Sequence, residues 1–319
     1  MQPILEVKHL KKYFPTNKGV VHAVDDVSFT LDAGKTMGVV GESGCGKSTL
    51  GRTIIHLQKS TSGQIIFEGK DVTNVKGKAL NALRANMQIV FQDPYSSLNP
   101  RMSVHDTIVE PLKLSGKFSG PELEKEANRL MDLVGIESRL RNAYPHEMDG
   151  GRRQRVGIGR ALALNPKFIV CDEPVSALDV SIQAQVLNLL MDLQDELGLT
   201  YMFVTHDLSV VRHISHNICV MYLGQLVETC GTEELFQQQL HPYSKALLSA
   251  IPSVDIHHPQ KRIVIKGEIV SPIDPKPGCR FAARCPYASE ACYQPQTLRE
   301  IKPGHFVSCC KVEEINGLK

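Results

Sequence analysis

Residues Gly41 to Thr49 read Gly-Glu-Ser-Gly-Cys-Gly-Lys-Ser-Thr, and this segment constrains the fold more than any other. From Gly41 to Ser48 it fits G-x-x-x-x-G-K-[ST], a phosphate-cradling loop that needs a strand before it and a helix after it. Both are expected here. Thr36-Met37-Gly38-Val39-Val40 is an apolar run, and Lys47 to Leu57 reads as a helix. Gly41, Gly44 and Gly46 let the backbone curl so that its N–H groups wrap phosphate oxygens, while the helix N-terminus adds partial positive charge. Lys47 then reaches the β and γ phosphates of a nucleotide, and Ser48 ligates Mg2+. Ser43, Cys45 and Thr49 line the same loop, Cys45 as a small residue that fits.

At 319 residues the chain can bury a sizeable core, with about two domains as a prior. Charged residues make up 22% and hydrophobic ones 42%, as in soluble globular chains. A net charge of +2 without a long Lys/Arg block gives no electrostatic case for a nucleic-acid partner. No run of 18 apolar residues occurs, and the N-terminus lacks the basic and apolar regions of a signal peptide, so the chain is expected in the cytosol. Cys45, Cys171, Cys219 and Cys230 are scattered, which suits a reducing compartment. Composition changes near Ile251: five of nine cysteines and eight of eighteen prolines lie beyond it. The expected division is 1–251 and 252–319.

Upstream of that break, apolar runs alternate with helical patterns, the signature of an α/β fold with a mainly parallel sheet covered by helices. Phe168 to Cys171 and Thr200 to Val204 read as buried strands, with Ile182 to Leu197 a helix between them. Asp172 and Glu173 follow the first strand. Asp172 is placed to hold Mg2+, and Glu173, one residue further, to polarise a water that attacks the γ-phosphate. Thr205-His206-Asp207 follows the second strand, where His206 can contact that phosphate. Gln92 follows the strand-like Met87 to Phe91 and can sense both Mg2+ and the water. Each of these is weak alone, and together with the loop they are strong.

Between Gln92 and Asp172 lies Tyr144-Pro145-His146-Glu147-Met148-Asp149-Gly150-Gly151-Arg152-Arg153-Gln154-Arg155, followed by a helical stretch to Leu164. Here the chain resembles the ABC ATPases, nearly end to end, in the order phosphate loop, Gln92, signature, Asp172-Glu173, Ser176-Ala177-Leu178-Asp179 and His206. The resemblance implies a P-loop ATPase core with an antiparallel β subdomain and a helical subdomain at about 99–165. It implies a head-to-tail dimer in which Asp149, Gly150, Gly151 and Arg152 reach the partner's ATP. It also matches Tyr13 to the residue that stacks on adenine, with Phe14 adjacent. A soluble ABC ATPase of repair or translation is the alternative class, but those chains carry tandem cassettes or long insertions.

The signature departs from the Leu-Ser-Gly-Gly-Gln of the family. Met148, Asp149 and Arg152 stand where leucine, serine and glutamine are usual. An ionised Asp149 accepts hydrogen bonds only. Beside a γ-phosphate at ~4 Å it costs about 1 kcal/mol in water and about 4 kcal/mol at an effective dielectric of 20, which Arg152 or Arg153 can offset. Asp149 can also simply cap the signature helix, and both readings can hold together. The expectation is a heterodimer with a homologous ATPase and two unequal ATP sites.

His241-Pro242-Tyr243-Ser244-Lys245-Ala246-Leu247-Leu248, with Phe91-Gln92-Asp93-Pro94-Tyr95-Ser96-Ser97-Leu98-Asn99-Pro100, resembles the oligopeptide, dipeptide and nickel branch of ABC importers. That implies two membrane permeases, an extracytoplasmic peptide-binding protein and a place at the cytoplasmic face of the membrane, with dipeptide, longer peptide and nickel as possible cargoes. The tail offers Cys279, Cys285, Cys292 and Cys309, with Cys310 next to the last. Their spacing fits the paired C-x₂₋₄-C of zinc sites poorly. Gly278-Cys279-Arg280-Phe281 and Arg284-Cys285-Pro286, followed by Cys292 and a Val-x-Cys, resemble a [4Fe–4S] site of that branch. Zn2+ and free structural thiols are the alternatives.

Overall fold

The structure is a computed structural model describing residues 2–251, 262–265, 267 and 271–318. Two long antiparallel strands open the chain, β1 (Leu5–Thr16) and β2 (Gly19–Leu31), followed by β3 (Thr36–Val40), helix α1 (Lys47–Ile54), β4 (Ser62–Phe67) and β5 (Lys70–Asp71). Next come α2 (Gly77–Asn86), β6 (Met87–Val90), α3 (Pro94–Ser97), α4 (Val104–Ser115), α5 (Gly120–Leu133), α6 (Gly150–Leu162), β7 (Phe168–Asp172), α7 (Val180–Leu197) and β8 (Thr200–Val204). The last elements are α8 (Leu208–Ile214), β9 (Asn217–Tyr222), β10 (Gln225–Gly231), α9 (Thr232–Gln237), α10 (Pro242–Leu248), β11 (Arg299–Lys302), β12 (His305–Val307) and α11 (Val312–Asn316). The chain divides into two compact units, Met1–Asn74 with Phe203–Lys319, and Val75–Met202.

In the first unit, β2-β1-β4-β5 form an antiparallel sheet whose period-2 pattern buries Leu5 and Val7 and leaves Lys8 exposed. A second set of strands runs in the order β11-β12-β10-β9-β3. Strands β3 and β9 pair in parallel, with Val39 opposite Cys219. All five residues of β3 are buried, as in a strand covered on both faces. The composition break near Ile251 is bridged by packing. Strand β12 pairs with β10 through Glu228↔Val307 and Thr229↔Phe306, and Phe281 joins one core cluster with Val40, Val220, Tyr222 and Tyr243. Its ring lies 5.3 Å from that of Tyr222 and 5.4 Å from that of Tyr243. Burying such a side chain contributes about 1.5–3 kcal/mol, which anchors a tail with little core of its own.

The second unit holds β6 and β7 in parallel, Ile89 opposite Val170, in the order β8-β7-β6. The region expected to be helical contains α4, α5 and α6. Their starts follow capping chemistry: Ser103 accepts from the Asp106 N–H at 3.1 Å, and Asp149 opens α6. The expected strand Thr200–Val204 is observed as β8, and the helix expected from Ile182 begins at Val180 because Asp179 caps it, accepting from the Ile182 N–H at 3.1 Å. Helix α1 ends at Ile54, short of the expected Leu57, because His56 adopts a left-handed backbone (φ 59) that cannot continue a right-handed helix. Among the described residues no helix is long and apolar enough to cross a membrane.

Candidate active site

In the first unit the chain between β3 and α1 closes the phosphate loop. Gly46 caps α1 in a left-handed conformation (φ 105) without a side-chain capping bond, and a Cβ there would lie 1.9 Å from the Ala23 carbonyl oxygen. Gly41 is equally constrained, with the Met221 carbonyl oxygen 2.1 Å from an added Cβ. Only glycine fits, and the uncapped helix start favours an anion. The buried Lys47 ammonium donates to the carbonyls of Gly41 at 2.8 Å and Glu42 at 3.0 Å, inside the curl of the loop. Cys45 is buried 3.8 Å from that ammonium, and burial raises its thiol pKa, so it fills space as a neutral group. Ser43 and Gly44 are exposed, whereas Ser48 and Thr49 are half-buried. The Thr205 N–H donates to the Val39 carbonyl at 3.2 Å, so the exposed His206 leaves β8 beside the strand that feeds the loop.

Tyr13 and Phe14 have different surroundings, as alternate faces of β1 require. The Tyr13 ring stacks on His22 at 3.9 Å, and its hydroxyl donates to Asp25. Phe14 instead lies under the Lys12 ammonium at 4.6 Å. Asp25 also accepts from the Arg280 guanidinium. Burial works to raise the Asp25 carboxyl, but the bonds from Tyr13, Arg280 and His22 outweigh it and hold the group below the usual carboxylate range.

In the second unit, Asp172 ends β7 and is buried, and Glu173 follows with φ 48. A non-glycine residue held there costs about 1–2 kcal/mol, a strain typical of functional positions. The Gln92 side-chain amide donates to the Glu173 carboxylate at 2.9 Å. The turn after Glu173 is held by the Ser176 hydroxyl, which donates to the Glu173 carbonyl at 3.1 Å. Ala177 is exposed there, and Asp179 caps α7.

The same unit contains the signature. Asp149 is the N-cap of α6: it accepts from the Arg152 N–H at 2.8 Å and from the Arg152 guanidinium at 2.9 Å. The helix-capping reading is therefore realised, and the carboxylate has a counter-charge. Arg152 also lies 3.5 Å from Glu137. Gly150 and Gly151 face Leu178 and Ile182: added Cβ atoms would lie 2.9 Å and 2.5 Å from their side-chain carbons. Gly150 and Gly151 thus pack against the turn at Leu178 and the start of α7.

Cys279, Cys285, Cys292, Cys309 and Cys310 line one cavity with His241 and Phe281. Cys292 Sγ stands 3.8 Å from Cys310 Sγ, and the Cys279 N–H donates to the Cys292 carbonyl at 2.7 Å. Burial pushes the thiol of Cys279 up to about 12 and that of Cys309 up to about 11. Among the described residues no group of three or more His, Cys, Asp or Glu is placed to hold a metal ion. The expected [4Fe–4S] or Zn2+ site on Cys279, Cys285, Cys292 and Cys309 is therefore not supported.

Sequence reasoning gave no role to Asp25, Glu42, Arg280 or Arg284. The two arginines stand next to Cys279 and Cys285 inside the quoted cysteine motifs, which was the only local signal for them.

Residues 24–176 match the family described as "ABC transporter", and residues 227–292 match "Oligopeptide/dipeptide transporter, C-terminal region". The "Oligopeptide transport ATP-binding protein AppF" of Bacillus subtilis (strain 168) is 50% identical over 319 residues, spanning 97% of this chain and 97% of its own. The "Dipeptide transport ATP-binding protein DppF" of Haemophilus influenzae is 46% identical over 318 residues, spanning 98% and 97%. Among solved structures, cbiO1 from Clostridium perfringens, part of the ABC transporter complex cbiONQ, superposes with a TM-score of 0.67 at 29% identity. It covers 75% of this chain and 92% of its own. The ATP-binding cassette MJ0796, a dimer bound to ADP and Pi, gives 0.65 at 29% identity over 72% and 98%.

Proposed function

Because this chain belongs to the ABC transporter ATP-binding proteins, in their oligopeptide and dipeptide branch, we propose that it is the ATP-hydrolysing subunit that powers peptide import. Its place is the cytoplasmic face of the membrane, against two permease subunits supplied by an extracytoplasmic peptide-binding protein. The observation that carries the reading is the Gln92–Glu173 hydrogen bond at the end of β7. It holds a carboxylate on a strained backbone, where it can take the proton of the water attacking the γ-phosphorus as ADP leaves.

Lys47 exchanges its bonds to the Gly41 and Glu42 carbonyls for β- and γ-phosphate oxygens, and His206 contacts the γ-phosphate. Tyr13 stacks on adenine. Mg2+, when bound, neutralises charge on the transferring phosphoryl group. Ser48, Asp172 and Gln92 offer the oxygen donors that this hard cation prefers. Asp149, Gly150, Gly151 and Arg152 act on the ATP of a second, homologous ATPase. Asp149 is committed to the cap and to Arg152, so it donates no hydrogen bond there, and the two ATP sites of the heterodimer are unequal.

The test is ATP hydrolysis by the assembled transporter with and without Glu173→Gln, and by this chain alone and mixed with a homologous ATPase. Loss of a general base lowers turnover by about 10²–10⁴-fold, with ATP binding retained. Unchanged hydrolysis by the Glu173→Gln transporter sinks the reading, and efficient hydrolysis by the chain alone sinks the heterodimer. The [4Fe–4S] cluster rests on the resemblance of the Cys279, Cys285, Cys292 and Cys309 motifs to that importer branch. Iron and acid-labile sulfide analysis of anaerobically purified protein tests it, and metal-free protein rules it out.

A further inference from the structure

We propose that Arg280 and Arg284, on the cysteine-bearing C-terminal segment, are positioning residues of the ATP site, Arg284 for the phosphate loop and Arg280 for the adenine platform. The inference rests on the nucleotide roles of Lys47 and Tyr13 given above and adds a function for the tail.

Arg284 reaches 242 positions back along the chain. Its guanidinium donates to the Glu42 carboxylate at 2.9 Å and to the Tyr222 hydroxyl at 3.3 Å. Glu42 is the second residue of the phosphate loop, and its carbonyl accepts from the Lys47 ammonium at 3.0 Å. The Glu42 N–H donates to the Tyr243 hydroxyl at 2.9 Å, so side chain and backbone of this one loop residue are both held from the C-terminal half of the chain. Through Glu42 the tail thus fixes the loop backbone whose carbonyl accepts from Lys47 before phosphate does.

Arg280 holds the other end of the site. Its side chain is 6% exposed, and it donates to Asp25, to the Leu223 carbonyl and, at 3.5 Å, to the His22 carbonyl. Asp25 in turn accepts from the Tyr13 hydroxyl, and His22 stacks on the Tyr13 ring. One guanidinium therefore braces both the phenol and the stacking partner of the aromatic platform. The Asp25 N–H donates to the Gly224 carbonyl and the Gly224 N–H to the Cys45 carbonyl, each at 2.8 Å, which ties the platform to the phosphate loop. Charge-assisted bonds from planar guanidinium groups with low exposure are directional, and they suit positioning better than lysine would.

A purely structural staple would lower stability and weaken every ligand alike. Positioning separates the two arginines by ligand, so equilibrium binding of ATP and of inorganic tripolyphosphate to the full chain distinguishes the cases. Arg284→Gln should weaken both ligands about tenfold, the effect of one charge-assisted hydrogen bond. Arg280→Gln should weaken ATP about tenfold and leave tripolyphosphate within twofold. Glu42→Gln removes the Arg284 pair from the other side, and it should reproduce Arg284→Gln with no further loss in the double variant. Should Arg284→Gln fail to fold, Glu42→Gln and Arg284→Lys carry the same comparison, with Arg284→Lys in between.

The proposal is overturned if folded Arg284→Gln and Glu42→Gln bind both ligands like the unmodified chain. It is also overturned if Arg280→Gln weakens both ligands equally. Lys47→Ala and Tyr13→Ala are the separate controls: if neither changes ATP binding, the underlying nucleotide reading fails, independently of the arginines.

Discussion

His305 links β12 to two carboxylates of the preceding elements, and removing it should cost more than any surface change. Its Nε2 lies 2.7 Å from Glu228 of β10 and its Nδ1 lies 2.8 Å from Glu234 of α9. A carboxylate beside each ring nitrogen favours the charged imidazolium, which can donate to both. Glu228 is fully buried and also accepts from the N–H groups of Leu240 at 2.7 Å and His241 at 3.0 Å. His305→Ala leaves that carboxylate without its counter-charge. Breaking a buried pair from one side costs about 3–5 kcal/mol. The two remaining backbone donors place the expected loss near about 3 kcal/mol.

The pH dependence has a definite sign. Burial lowers the His305 pKa, but its bonds to Glu228 and Glu234 outweigh that and raise it above the ordinary histidine value. A raised folded pKa gives stability that is full below the unfolded value of about 6.5 and is lost as pH rises through the folded value. Urea titration at about pH 6 and about pH 9, followed by far-UV circular dichroism because the chain has no tryptophan, measures both effects. The gap between unmodified chain and variant should be wide at the lower pH and narrower at the higher one. A loss under about 1 kcal/mol, typical of an exposed pair, or an equal loss at both pH values, refutes the argument.

Gly46→Ala should abolish ATP binding, since its Cβ would sit 1.9 Å from the Ala23 carbonyl oxygen at a φ that alanine disfavours; isothermal titration with ATP reads this. Asp149→Ala should lower stability by about 0.5–2 kcal/mol through the lost cap, whereas Asp149→Ser, which can still cap, should change it far less. Comparing the two urea midpoints decides it. Phe281→Ala should cost about 3–5 kcal/mol by emptying the cluster around Tyr222 and Tyr243. Limited proteolysis should then cut the tail first.

The elements around the nucleotide were legible in the sequence because their information is local. A strand, a glycine loop and a helix in order make a phosphate site whatever surrounds them, and Asp149 marks its helix by a bond spanning three residues. The period of the apolar runs likewise specified β3, β7, α7 and β8. What Asp149 does was not local. Its guanidinium partner Arg152 is fixed by the folded helix, and capping leaves a contact with a second chain's phosphate still possible.

The tail was legible as composition and as short motifs, but not in what it packs against. Proline and cysteine content suggested a separate extension, yet Phe281 lies in the core of the first unit and β12 pairs with β10. Arg280 meets Asp25 across 255 positions, and His305 meets Glu228 across 77. Propensity, periodicity and capping act over a few residues, whereas such pairs depend on which surfaces the folded chain brings together. The sequence by itself determined a nucleotide-binding α/β chain with its phosphate loop and carboxylates. Tertiary structure alone decided that the C-terminal segment supplies the guanidinium groups bracing that site, because a buried ion pair exists only once both partners have left water together.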